Sequence, residues 1–171
     1  MKRIVVTGSE CTGKTTLARA LAEHYRTAWV PEVVRAYVEA KKVPPGFDDV
    51  DNIARLHVAL SDRIGEGASA LLILDTDLLS TWVYSHHYYG DCPKWIDESI
   101  LKRRGDLYLL AGIDVPWQAD GLQRDRGHMR EEMQALFRDE IVRRRFRHIE
   151  IEGAPGQRLA TAVRAIDELF V

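Results

Sequence analysis

Five short apolar or β-branched runs recur along the chain and read as strands: Ile4-Val5-Val6, Ala28-Trp29-Val30, Leu71-Leu72-Ile73-Leu74, Leu107-Tyr108-Leu109-Leu110 and Ile149-Glu150-Ile151. Longer segments with helical spacing lie between them. The clearest stripes are Val50, Ile53, Ala54, His57, Leu60, Ile64; then Met129, Met133, Leu136, Phe137, Ile141; then Leu159, Ala162, Val163, Ile166, Phe170. Each fits one face of a helix at i, i+3, i+4, i+7. Such alternation predicts the α/β class, with a parallel five-stranded sheet flanked by helices on both faces.

Breaker-rich stretches at Val43-Pro44-Pro45-Gly46, Gly90-Asp91-Cys92-Pro93 and Gly153-Ala154-Pro155-Gly156 read as loops inside one domain. No internal repeat, flexible linker or low-complexity tract interrupts the pattern. With 171 residues, 46% of them hydrophobic, the chain can bury one core, and residues 1–171 are expected to form one domain.

Charge narrows the function classes. Twenty-four basic and 26 acidic residues give a net charge of −2, so there is no global positive field to hold nucleic acid. The apolar run near Met1 is too short for a signal peptide, and nowhere do 18 apolar residues run together, so a cytoplasmic protein without a membrane partner is expected. Cys11 and Cys92 are too few for a disulfide framework and are expected to be reduced.

The segment Gly8-Ser9-Glu10-Cys11-Thr12-Gly13-Lys14-Thr15 matches G-x-x-x-x-G-K-[ST], directly after the first strand and opening a helix from about Lys14 to Tyr25. Glycines let the backbone wrap with its N–H groups inward, and the helix N-terminus presents a positive dipole end to phosphates. Gly8 to Thr16 are therefore the expected ATP contacts, with Lys14 reaching the β- and γ-phosphates and Thr15 ligating Mg²⁺. At the end of the third strand, Asp75 is expected in the magnesium shell, since Mg²⁺ keeps waters and takes few carboxylates. Asp77 has two readings, a ligand for a substrate hydroxyl or the N-cap of the helix starting at Leu78.

On the acceptor side, Pro31-Glu32-Val33-Val34-Arg35 follows the second strand at the sheet edge where ligands bind in open α/β folds. Glu32 is the first candidate for the general base that takes a hydroxyl proton. A surface ion pair with Arg35 is the plainer alternative. Trp82, Tyr84, His86, His87, Tyr88, Tyr89 and Trp95 crowd the segment after Asp77, suiting either core packing or stacking on a flat ring, cationic rings included. Adjacent His86 and His87 cannot face one metal from a helix. His57, on an apolar helix face, reads as a core histidine.

Residues 119–130 are polar, glycine-punctuated and arginine-rich, and read as a lid whose Arg124, Arg126 and Arg130 close over the transferring phosphoryl group. A solvated, charge-compensated loop is the other reading. Arg143-Arg144-Arg145-Phe146-Arg147 suits a helix C-terminus. Gly153 to Arg158 follows the last strand and is expected to frame the adenine.

These residues resemble the ribosylnicotinamide kinase domain of the NadR-type proteins, within the P-loop nucleoside and nucleotide kinases. The resemblance covers about residues 3 to 170. It rests on the phosphate loop with Glu10 inside it, on Pro31-Glu32 with Arg35 and Tyr37, on Leu74-Asp75-Thr76-Asp77 with Thr81, Tyr88 and Gly90, and on Pro116-Trp117-Gln118-Ala119-Asp120-Gly121-Leu122. It implies transfer of the ATP γ-phosphate to the ribose 5′-hydroxyl of nicotinamide riboside, giving nicotinamide mononucleotide in NAD salvage. Lys14, Glu32, Asp77, Arg124 and Arg126 are then the catalytic candidates, and Glu32, Arg35, Asp77, Trp82 and Tyr88 the acceptor contacts. Bifunctional relatives carry an adenylyltransferase domain ahead of the kinase, and since Met1 opens this sequence that activity is expected to be absent. The family's arginine two residues past the Asp-Gly pair is Gln123 here, with Arg124 next.

Three readings stay open at this point. One is nicotinamide riboside kinase, one a kinase of another nucleoside or nucleotide, and one an ATP-switched regulatory module. Oligomeric state, ATP against GTP, and Glu32 against Asp77 as base are also open.

Overall fold

The structure is a computed structural model that describes residues 1–68, 70–116 and 129–171. Five strands, β1 (Lys2–Thr7), β2 (Trp29–Val30), β3 (Leu71–Asp75), β4 (Leu107–Ala111) and β5 (His148–Ile151), form one sheet in the order β2-β3-β1-β4-β5. Every pairing is parallel. The helices are α1 (Lys14–Tyr25), α2 (Val33–Lys41), α3 (Phe47–Gly65), α4 (Leu78–Tyr89), α5 (Lys94–Lys102), α6 (Arg130–Arg143) and α7 (Pro155–Asp167).

The inner runs Ile4 to Val6, Leu71 to Leu74 and Leu107 to Leu110 are apolar at every position because both sheet faces are covered there, and successive side chains point to opposite faces. Ile4, Val6, Ile73, Leu107 and Leu109 pack with Leu17, Leu21, Ala162 and Ile166 of α1 and α7. Val5, Leu72, Leu74, Tyr108 and Leu110 pack on the other face with Leu79, Val83, Ile96, Ile100, Phe137 and Ile141 from α4, α5 and α6. The central register, Val6 opposite Asp75 and Thr7 opposite Leu110, brings the C-terminal ends of β1, β3 and β4 to one edge.

Two elements differ from the sequence reading. Pro155 does not extend a loop but opens α7, where its fixed φ and missing N–H suit the first helical position. The nine-residue α5 was not foreseen; it is too short to show a full stripe, and buries Ile96 and Ile100 one turn apart. Among the described residues α2 buries none of its own side chains, so it is an outer flap rather than a core helix. Asp49 ties it down: its carboxylate accepts from the Tyr37 hydroxyl at 2.7 Å and from Gly46 N–H at 2.7 Å, and pairs with Lys41. Lys41 first, then the Gly46 N–H and Tyr37, hold the Asp49 carboxyl down at about 2.

Candidate active site

The loop between β1 and α1 bends through left-handed backbone at Gly8 (φ 126°), Cys11 (φ 52°) and Gly13 (φ 78°). Gly8 has no substitute here, because a Cβ would lie 2.9 Å from the Ala111 carbonyl oxygen and 3.2 Å from Gln134 Oε1. Two distant residues hold the loop. Gln134 on α6 accepts from Ser9 N–H at 3.2 Å and donates to Ala111 O at 3.0 Å. Arg158 on α7 is buried and donates to Thr12 O (2.7 Å), Gly112 O (3.1 Å) and Gly153 O (2.9 Å), and pairs with Asp114. Arg130 adds bonds to Cys11 O and Val115 O at 3.2 and 2.9 Å. Inside the loop, Lys14 Nζ donates to Ser9 O at 2.6 Å.

Thr15, on the first turn of α1, donates its hydroxyl to Asp75 Oδ2 at 2.6 Å. Asp75 Oδ1 is fully buried and, among the described residues, has no partner. Burial, and after it the negative charge of Glu32, push this carboxyl up to about 6, against the lowering pull of Thr15, Lys14 and Arg35. An oxygen donor set with one orphaned carboxylate oxygen beside a threonine hydroxyl is what a hard divalent cation prefers. No group of three or more His, Cys, Asp or Glu among the described residues could hold a metal, so a cation here would take its remaining ligands from water and phosphate.

Thr76 separates the two aspartates with a φ of 70°, an outlying conformation for a β-branched residue. The twist sends Asp75 toward Thr15 and Asp77 the other way. Asp77 caps α4, accepting from Leu79 N–H at 3.0 Å, while its second oxygen accepts from the Tyr108 hydroxyl at 2.7 Å. It is 6% exposed, and burial pushes its carboxyl up. Of the two sequence readings of Asp77, its contacts show the helix cap: one oxygen serves the cap and the other the core.

Beside the loop lies a cavity of about 420 Å³, bordered by Glu10 of the phosphate loop, Glu32, Arg35, Thr76, Tyr84 and Tyr88. Glu32 and Arg35 stand 3.7 Å apart as an i, i+3 pair and both border the cavity, so the pairing does not withdraw Glu32 from the open space. Burial first, then Glu10 and Glu32, raise the Tyr84 phenol well above its usual range. Trp82 lies elsewhere. Its ring stacks on His86 at 3.9 Å and is covered by the Arg143 and Arg144 guanidiniums at 5.7 and 5.1 Å, so the reading of Trp82 as an acceptor contact is corrected. Helical geometry sets this, because Tyr84 and Tyr88 share one face of α4 at i, i+4 while Trp82 and His86 share another. Arg124 and Arg126, with most of the expected lid, lie outside the described residues.

Sequence reasoning missed Gln134 and placed Arg158 only in the adenine segment. Both act across more than 100 residues, and local spacing carries no sign of that. Among the described residues, no helix is long and apolar enough to cross a membrane.

Known proteins fit this geometry. The chain is 29% identical over 127 residues, 72% of its length, to the trifunctional NAD biosynthesis/regulator protein NadR of Escherichia coli K12 and, to the same extent, to that of Salmonella typhimurium. It spans 31% of the length of each of these curated relatives. Among solved structures, NadR in complex with NR superposes with a TM-score of 0.83 at 22% identity, covering 98% of this chain and 50% of that one. Thymidylate kinase from Ehrlichia chaffeensis superposes at 0.68 with 14% identity, covering 96% and 98%. At these identities the superpositions establish a shared fold. The model of the AAA domain family matches residues 3–158, nearly the whole chain, and this protein belongs to that family of P-loop domains.

Proposed function

We propose that residues 1–171 form one ATP-dependent kinase domain that phosphorylates the ribose 5′-hydroxyl of nicotinamide riboside, giving nicotinamide mononucleotide for NAD synthesis. One observation carries this reading: Glu32 borders a cavity that the phosphate loop also borders through Glu10, so a carboxylate and a phosphate cradle share one open space. The likeness to NadR, one of whose structures holds NR, supports the choice of acceptor.

Backbone N–H groups from Gly8 to Thr16 receive the triphosphate, and Lys14 exchanges its bond to Ser9 O for the β- and γ-oxygens. Thr15 and Asp75 would hold Mg²⁺, which when bound neutralises charge on those oxygens. Glu32 takes the 5′-hydroxyl proton as that oxygen bonds to the γ-phosphorus, and ADP leaves with the electron pair of the broken bridge. Arg35 holds the Glu32 carboxylate in place. Arg124 and Arg126, which lie outside the described residues, are the candidates to meet the charge on the equatorial oxygens, and Gly153 to Arg158 frames the adenine. The pyridinium ring of the acceptor meets Tyr84 and Tyr88, whose faces favour a cation.

The test is ADP formation by the purified protein with Mg-ATP across nicotinamide riboside, uridine, cytidine, thymidine, deoxyadenosine and AMP, with product masses measured. A preference for nicotinamide riboside yielding nicotinamide mononucleotide is expected. Preference for another acceptor moves the substrate, and turnover independent of any acceptor sinks the kinase assignment.

A further inference from the structure

α3 also lines the cavity, through Val50, Ile53 and His57, which lie on one helix face at i, i+3, i+7. His57 is 5% exposed, and no hydrogen bond joins its ring to another described residue. Ser61, one turn further along α3, accepts from Arg3 at 3.0 Å, so this wall reaches the start of β1. From Arg3 to Gly8 the chain advances five residues, roughly 16 Å of strand, toward the phosphate loop. His57, one turn before Ser61 on α3 and within the field of Arg3, thus lies on the side of the cavity nearer Arg3.

An acceptor whose 5′-hydroxyl meets Glu32 must turn its base away from the phosphate loop, toward this wall. Val50 and Ile53 offer only apolar contact there. The nearby serines are engaged: Ser80 shares a bond with Thr7 at 3.2 Å, and Ser85 donates to Asp91 O at 2.6 Å. The His57 ring, buried and lining the cavity, has no such commitment. Burial, then the charges of Arg3 and Arg103, push its pKa down to about 4, so the ring is neutral at physiological pH. A neutral imidazole carries one donor and one acceptor, matching a carboxamide, and does not repel a pyridinium as an imidazolium would.

We propose that His57 reads the carboxamide of the acceptor's base through a hydrogen bond and is the residue that selects a carboxamide-bearing ring. This rests on the nucleoside kinase reading above. A buried group left unpaired by the wrong ligand is a strong discriminator.

The experiment compares kcat/KM for nicotinamide riboside and for the pyridinium riboside that lacks the carboxamide, in the native protein and in His57→Leu and His57→Gln. The native enzyme is expected to prefer nicotinamide riboside roughly 10- to 100-fold, and His57→Leu to bring that ratio near one, mainly through KM. His57→Gln, which keeps a donor and an acceptor, recovers part of the preference and carries the comparison if the Leu variant fails to fold. A structural role for His57 would move both acceptors together, so an unchanged ratio in either soluble variant overturns the inference. If the native protein phosphorylates neither riboside, the nucleoside assignment falls first and this inference with it. If it phosphorylates both equally, only the inference falls.

Discussion

Thr15 donates its hydroxyl to Asp75 at 2.6 Å, joining the first turn of α1 to the end of β3. The bond leaves the other Asp75 oxygen buried and unpartnered among the described residues. The arrangement costs folding energy, which points to a ligand that compensates it.

Asp75→Asn measures that cost. A carboxyl held near 6 when folded and near 3.9 when unfolded binds its proton more tightly in the folded state, so stability declines as pH rises between those values. At pH 7 the asparagine is therefore expected to stabilise the fold by roughly 1–3 kcal/mol, or several degrees in Tm, while Mg-ATP turnover is lost. In the native protein, Mg-ATP affinity should rise from pH 5 to 7 as Asp75 ionises. Calorimetry and titration at both pH values check this, and a lower Tm for the variant at pH 7 would contradict it.

Glu32 and Asp77 separate by what they lose. Glu32→Gln is expected to cut kcat about 10²- to 10⁴-fold with Mg-ATP binding intact, as befits a general base. Asp77→Ala removes a cap and strands the Tyr108 hydroxyl, costing about 2–4 kcal/mol of stability, yet turnover per folded molecule should stay within a few-fold. Equal losses of kcat in both variants would return Asp77 to the site.

The flap carrying Glu32 and Arg35 depends on Asp49. Because the Asp49 carboxyl is held at about 2, its contribution is complete above about 4 and is lost as pH falls toward 2. Asp49→Ala should speed amide exchange through α2 and raise the acceptor KM several-fold, with ATP affinity little changed. Uniform exchange rates in α2 and an unaltered KM would show that other contacts hold the flap.

Arg158→Ala should weaken ATP binding at least ten-fold although no acceptor contact is involved, since three carbonyls near the phosphate loop lose a shared donor. Arg158→Lys, with a point charge in place of the planar fork, should recover little. Isothermal titration with a non-hydrolysable ATP analogue distinguishes the outcomes.

The sheet was legible in the sequence because its inner strands are apolar at every position, and Ile4-Val5-Val6 or Leu71 to Leu74 serve two cores at once. The phosphate loop was legible because eight consecutive residues carry its chemistry. The sequence offered Asp75 for magnesium and Asp77 for an acceptor hydroxyl or a helix cap, and the left-handed backbone at Thr76 turns the two carboxylates apart. Trp82 and Tyr84 likewise differ by two residues and by half the circumference of a helix. Spacing rules do not reach Gln134 or Arg158, whose roles exist only once the ends of the chain have met.

That meeting has a temporal side. On the ribosome, residues 8 to 15 emerge long before residue 158, and at roughly 5–20 residues per second the gap is on the order of ten seconds. Until α7 docks, the Thr12 carbonyl lacks the Arg158 bond that holds it in the finished protein. A nascent chain stopped before α7 lacks the Arg158 donor, so firm nucleotide binding is expected to await residue 158 although the phosphate loop is made first.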